Sequence, residues 1–338
     1  MKTVDRNRAG APAPLMVAAA FAAIYLIWGS TYLAIKYAVE SVPPFLMTGA
    51  RFLVAGAVLY GWSALRPGPG LAPPPSTRAN LCAWREAFIV GTLLIVGGTA
   101  LVSWAELSVP SGITSLILAT TPLWMVVLEG VSSGRAPVPR VLAGVAVGFS
   151  GLAILIWPSL MSPGTGIDLL GVAALAAAAL AWSAGALYSR RVALPASAAR
   201  ATGMQMLAGA VLSLGLGIAL GEHRSLSVAA ITPASFAAIA YLVIAGALVG
   251  FSAYLWLMRV STPSRVATHA YVNPVVAVLL GWAVLGESVT ARTGIAMAVI
   301  VAAVVLIVSA PSSARPAGAG DTVPERSRGT RRLTEHAA

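Results

Sequence analysis

Arg51 has more chemistry to offer than any other residue in this chain. It falls about 8 residues into a long apolar run, ~12 Å along a helix that rises about 1.5 Å per residue. A guanidinium at that depth costs at least ~2.5 kcal/mol on insertion scales, so it must face a partner or a wet interior. Glu106 and Glu40 lie towards the same side of the membrane, and Glu106, at the end of its own apolar run, is the expected partner. Either the pair ties two helices together, or Arg51 takes an anionic group of a substrate with Glu106 beside it as a gate. Pro122 and Pro274 supply the second kind of chemistry. A proline inside a helix leaves the carbonyl four residues back, here Leu118 or Ala270, without its N–H partner. In hydrocarbon that carbonyl needs another donor. Thr120 and Thr121 adjoin one proline and Asn273 the other. Polar helix breaks in corresponding places of two halves point to a transport site. A packing kink capped by neighbouring side chains is the alternative, and the two are compatible.

Tyr25, Trp28, Tyr32 and Lys36 are three or four residues apart and share one helix face, with Ser30 and Thr31 adjoining. Trp28 lies about half way along its run, too deep for an interfacial aromatic belt, so it is expected in the wall of a wet cavity. Tyr25 suits ordinary packing. Trp182 and Ser183 match Trp28 and Gly29 in the second half, and at the same offset Lys36 falls on Arg190. Those two cations also read as helix-end anchors that snorkel to the interface. Tyr271 joins Trp28, Tyr32 and Trp182 as a wall residue, while Thr121 and Asn273 would offer polar contacts. His269, one turn before Asn273, could carry a coupling proton, since imidazole titrates near physiological pH. A neutral histidine hydrogen-bonded within a bundle is the other reading.

These residues must be held by membrane helices. The 338-residue chain is 58% hydrophobic and 10% charged, with a mean hydropathy of +0.85. A soluble domain would have roughly a quarter of its residues charged, and a helix needs about 20 apolar residues to cross a bilayer. Ten spans are expected near 15–36, 43–64, 87–105, 110–130, 139–157, 168–189, 201–220, 234–256, 264–285 and 291–309. Ala55-Gly56-Ala57-Val58-Leu59 recurs as Ala208-Gly209-Ala210-Val211-Leu212. Five spans per half is odd, so the second half enters from the opposite side. The expected fold is an all-α membrane protein of two inverted five-helix repeats, 15–157 and 168–309, with a cytosolic tail at 1–14 and a disordered basic tail at 310–338.

The net charge of +11 is a topology signal, not a nucleic-acid footprint. Eighteen of the 22 Lys and Arg fall on one side if both termini are cytoplasmic, as the positive-inside rule requires. The first apolar run is too long for a signal-peptide core and reads as an uncleaved span. Cys82 is expected in an inner loop, and Glu129 beside a loop arginine. Gly144, Gly148 and Gly151, with Gly294, Ala298 and Ala302, form small-residue ridges for close helix approach. These allow either packing within the bundle or a dimer contact, hence a monomer or homodimer. Neither lysine follows a glycine, so there is no Walker A loop and no direct ATP drive. No His-Glu pair and no Cys/His cluster supports a metal, and no cofactor is expected. Gly130-Val131-Ser132-Ser133-Gly134 fits the nucleophile-elbow pattern but has no strand before it and reads as chance.

Ile27-Trp28-Gly29-Ser30-Thr31-Tyr32, Val42-Pro43-Pro44, Gly49-Ala50-Arg51-Phe52, Ala105-Glu106, Val109-Pro110-Ser111-Gly112, Tyr271-Val272-Asn273-Pro274-Val275 and Gly286-Glu287 occur in that order. In sequence and spacing they resemble EamA-type members of the drug/metabolite transporter superfamily over residues 15–310. The resemblance implies a central cavity lined by the first four helices of each repeat, with the fifth and tenth peripheral. It also implies efflux of small metabolites or drugs across the inner membrane, proton-linked or facilitated. Carried onto this chain, the motif positions are Trp28, Arg51, Glu106, Pro122, Trp182, Asn273 and Pro274. The family's acidic residue after the central span is Glu287 in the second half, but Arg135 stands at the matching place in the first, so a symmetric role is not expected. The expected function is secondary export by alternating access. Import of a vitamin, amino acid or nucleotide-sugar-like metabolite and an intramembrane lipid-modifying enzyme are the alternatives.

Overall fold

The computed structural model describes residues 14–65, 77–134, 139–161, 168–192, 194–195, 197–261, 266 and 268–308. Apart from Pro14, both expected tails lie outside the described residues. The regular structure among the described residues is helical throughout. In chain order, α1 is Pro14–Val39, α2 is Pro44–Leu65 and α3 is Thr77–Ala105; α4 comes in two pieces, Ser111–Leu118 and Thr121–Ser133. They are followed by α5 (Pro139–Met161), α6 (Leu169–Ser189) and α7 (Ala198–Ala219). α8 runs in three contiguous parts, Pro233–Tyr241, Leu242–Gly250 and Phe251–Val260, before α9 (His269–Leu285) and α10 (Ala291–Val308). Seven of these, α1 to α4 and α6 to α8, are long and apolar enough to cross a membrane, and Pro139–Leu155, Val272–Leu285 and Ala291–Leu306 are shorter apolar helices.

Local chemistry sets several of the ends. The Asp168 carboxylate accepts from Leu170 N and Gly171 N and starts α6; Thr232 accepts from Ser235 N ahead of Pro233 and starts α8. Gly286, at φ 66°, closes α9 in the left-handed conformation that glycine adopts without strain. α3 begins ten residues earlier than the hydropathy placed it, because Thr77–Gly91 is amphipathic rather than apolar. Cys82 therefore sits on an exposed helix face and not in a loop.

α2 and α7, which carry the repeated pentapeptide, are closely packed and antiparallel. Gly49 abuts Leu214, Gly56 abuts Met206 and Leu207, and Gly203 abuts Tyr60. Without a hydrophobic drive between helices in lipid, small residues that admit a close approach hold such a pair. α5 and α10 pack on each other. The α5 ridge is used inside the bundle, with Gly148 against Leu123 and Gly151 against Val299 and Ile300, whereas Gly294 has open space beside it.

Two departures from α-helix were not expected. Thr92–Ala100 in α3 and Leu242–Gly250 in α8 are π-helical. The wider turn is visible in the Leu101 N–H donating to Val96 O, five residues back, and in Thr99 Oγ1 donating to Leu94 O. π-helical turns are rare and favour functional sites. These two occupy the third helix of each half.

Candidate functional site

The two π segments receive the two tryptophans, each from the other half. Trp28 of α1 lies on α8: a Cβ at Gly250 would sit 2.5 Å from Trp28 Nε1. Trp28 Nε1 donates to Gly246 O at 3.3 Å. Trp182 of α6 lies on α3: a Cβ at Gly98 would sit 2.8 Å from Trp182 Cε3. Each contact needs a glycine, because any side chain there would occupy the space of the ring. Phe251 and Tyr254 of α8 and His269 of α9 surround Trp28, with ring centroids 5.5, 5.2 and 5.2 Å away. His269 Nδ1 lies 2.9 Å from Val266 O. Thr31 Oγ1 donates to Trp28 O, and Tyr32 packs on the main apolar core. The side chain of Tyr271 lies outside the described residues.

Arg51 is 5% exposed, and its Nε and Nη1 have no hydrogen-bond partner. Its guanidinium lies 4.6 Å from the Phe52 ring centroid, and Nη2 faces Gly246 of the α8 π segment. The expected pair with Glu106 does not form. Both Glu106 carboxyl oxygens are buried without a partner, and the charged groups acting on Glu106 are Lys36 and Glu287. Arg51 points instead toward α8, beside the aromatic cluster. Nor does Lys36 snorkel: its ammonium donates to the Glu106 backbone carbonyl. Glu129 is exposed and makes no ion pair among the described residues.

The prolines behave differently from each other. Pro122 follows a real break between Leu118 and Thr121, whereas Pro274 lies inside an uninterrupted α9. The expectation of broken helices in both halves holds only for the first. Thr121 Oγ1 donates at 2.6 Å to Leu118 O, the carbonyl that Pro122 leaves free. Ser183 of α6 donates to Thr121 O at 3.1 Å. With its amide turned so that the nitrogen faces the two carbonyls, Asn273 donates to His269 O at 3.1 Å and to Tyr25 O at 3.3 Å, tying α9 to α1. Both polar groups are thus engaged in capping and packing in this structure.

The break divides α4 by neighbour. Its first piece packs on α1, α6 and α9; its second packs on α6 and touches α5 and α10. Past Pro122, α4 parts from α1 and α9 towards the end of the molecule that holds Arg78, Arg85, Arg140, Arg190, Arg191 and Arg200. Hydrogen bonds tie helix ends together at the opposite end. Glu287 accepts from Ser111 N, Ser111 Oγ and Gly112 N, so a second-half carboxylate caps the start of the first piece of α4. Glu222 accepts from Phe45 N and Leu46 N. Ser235 Oγ donates to Tyr37 O and Ser108 Oγ to Asp168. The Ser108 hydroxyl, with Leu170 N and Gly171 N, holds the Asp168 carboxyl below its ordinary range. A depressed folded-state value means stability present above pH ~4 and lost as pH falls through the folded value. Asp168→Asn should remove that dependence, which thermal unfolding between pH 3 and 5 (about the range of a free carboxyl) would show.

A cavity of about 20 Å³, room for one water, lies between α2, α3, α6, α7 and α8 and is lined by Phe52, Thr99, Trp182, Thr202, Gln205 and Phe251 among others. Trp182 was expected in such a wall; Thr202 and Gln205 were not, since they carry no charge and follow no motif. A wider groove of about 480 Å³ opens between α1, α8 and α9, lined by Ser30, Tyr37, Tyr241 and apolar residues.

The EamA-like transporter family model matches residues 15–157 and 169–309. The uncharacterized inner membrane transporter YedA of Escherichia coli K12 is 34% identical over 293 residues, 84% of this chain and 88% of its own length. The probable amino-acid metabolite efflux pump of the same strain is 24% identical over 179 residues, 50% of this chain and 52% of its own. A solved crystal structure, 24% identical, superimposes with a TM-score of 0.58 over 87% of this chain and 98% of that one, which shows a shared fold.

Proposed function

This chain belongs to the EamA-like transporter family, a multi-pass inner-membrane transporter and not an enzyme, and on that premise we propose that it exports small metabolites or drugs by alternating access, driven by a secondary gradient. The observation that carries the mechanism is the reciprocal docking of Trp28 on Gly250 and Trp182 on Gly98. Two halves that exchange equivalent contacts are built to rock about a shared centre. The proposed layout is ten helices in two inverted repeats, 15–157 and 168–309, with both termini cytoplasmic and the arginine-rich end inside. The α5 ridge is occupied within the chain, which supports a monomer. Arg51, with no carboxylate of its own, favours a substrate that bears an anionic group, against a wall of Trp28, Thr31, Tyr32, Trp182 and Tyr271. A relative named as an amino-acid metabolite efflux pump supports a small-metabolite cargo.

The test is a panel of metabolites, anionic, zwitterionic and cationic, assayed for uptake and efflux in proteoliposomes with and without a pH gradient. Gradient-dependent movement of anionic or zwitterionic solutes outward is expected; uptake alone would reverse the direction, and movement of none would end the transport reading. His269→Gln in the same assay decides whether the imidazole carries the coupling proton: unchanged proton flux excludes it.

A further inference from the structure

We propose that Glu106 is the proton-binding site of this transporter, with Lys36 as the cation that changes partner when the proton leaves. The proposal rests on the secondary-transport reading above and names the residue that would couple it to protons. Glu106 is fully buried, one residue beyond the Thr77–Ala105 span, and neither carboxyl oxygen has a partner. Among the described residues no other carboxyl is in that position. Glu287, Glu222 and Asp168 each accept from backbone N–H groups, Glu86 pairs with Arg85, and Glu40 and Glu129 are exposed. An unpartnered carboxylate out of water is expensive, and taking up a proton removes the cost.

The neighbours supply the switch. Lys36 Nζ hydrogen-bonds the backbone carbonyl of Glu106, the residue whose side chain it could neutralise. Tyr32 of the same helix lies near the carboxyl. Glu287, after α9, adds a like charge, while Lys36 opposes it; burial, the largest influence, holds the carboxyl well above the ordinary range. Thr114 Oγ1 of α4 is also buried without a partner, and Asp168 is engaged by Ser108 two residues along the chain. Arg51 of α2 does not reach the site. When Glu106 loses its proton to solvent, the Lys36 side chain moves from the carbonyl to the carboxylate, so one hydrogen bond is exchanged for an ion pair. The carboxyl is fully buried beside the hydrogen bonds of Ser108 and Ser111, so proton exchange requires that end to loosen. A proton fits better than a metal cation, because an ammonium already occupies the Glu106 carbonyl.

Infrared spectroscopy of the purified full chain in proteoliposomes tests this without a substrate. A protonated-carboxyl C=O band, sensitive to deuterium exchange, is expected at neutral pH and should vanish on alkalinisation. Glu106→Gln should lack it. Glu106→Asp should keep a titrating band, which separates loss of the group from misfolding. Lys36→Met should hold the band to higher pH, since removing a cation favours the protonated form. A neutral-pH band absent from the wild type, retained in Glu106→Gln, or displaced by sodium at fixed pH would overturn the proposal. A band that titrates in a protein moving no solute would end the transport reading alone.

Discussion

Replacing Arg51 with Met should raise the thermal stability of the protein and, in the same variant, cut transport of anionic solutes by about 10- to 150-fold. The two effects have opposite signs because they have different causes. Arg51 is buried over Phe52 with two of its three nitrogens unpartnered, and an uncompensated buried ion costs several kcal/mol even after relaxation. Methionine fills a similar length without that cost. The loss in transport follows from the ~1.5–3 kcal/mol of a hydrogen bond to a charged group, converted at about 1.4 kcal/mol per tenfold. A structural ion pair would behave otherwise, since removing one partner typically destabilises by ~3–5 kcal/mol. Differential scanning fluorimetry beside proteoliposome flux separates the cases. A Met variant that melts earlier, or that moves anionic solutes at the parental rate, would remove Arg51 from the site. Arg51→Lys should lie between, keeping the charge but losing the planar donor fork.

Why the sequence placed Arg51 well and its partner badly has a physical reason. Depth in an apolar run can be read from spacing alone, and a deep guanidinium must turn inward. Which carboxylate it meets depends on helix rotation, and near the membrane interface a shift of one or two residues turns the Glu106 carboxyl away from Arg51 and leaves it unpartnered. The Trp28 and Trp182 match was legible because large aromatics at equal offsets survive as a pattern. Their receiving surface was not. Thr92–Ala100 and Leu242–Gly250 are apolar apart from Thr92 and Thr99, so nothing in their periodicity separates a π turn from an α turn; only Gly97, Gly98, Gly246 and Gly250 hinted at close approach. Pro122 and Pro274 looked equivalent as residue types. They differ in their surroundings: Thr121 caps the carbonyl freed at the break from within its own helix, while Asn273, with its amide turned toward it, bridges to Tyr25 on another helix.

The reciprocal joints make the second large prediction. Gly250→Ala places a Cβ 2.5 Å from Trp28 Nε1, and Gly98→Ala places one 2.8 Å from Trp182 Cε3; distances under 3 Å force the ring or the helix to move. Each substitution should cost ~1–3 kcal/mol by overpacking, and flux should fall further than stability, because the moved ring stands between the halves. The atom struck in the first case is the indole nitrogen itself. Trp28→Phe deletes it, at the loss of the bond to Gly246 O, worth ~0.5–1.5 kcal/mol. The double variant Gly250→Ala/Trp28→Phe should therefore be more stable than the sum of its parts, with a coupling of ~0.5–3 kcal/mol in a double-mutant cycle. Gly250→Ala with Trp182→Phe should be additive, since that ring rests on the other joint. Additivity in both pairs would mean that the glycines are tolerant of a methyl group and that the two tryptophans do not serve as the contacts about which the halves move.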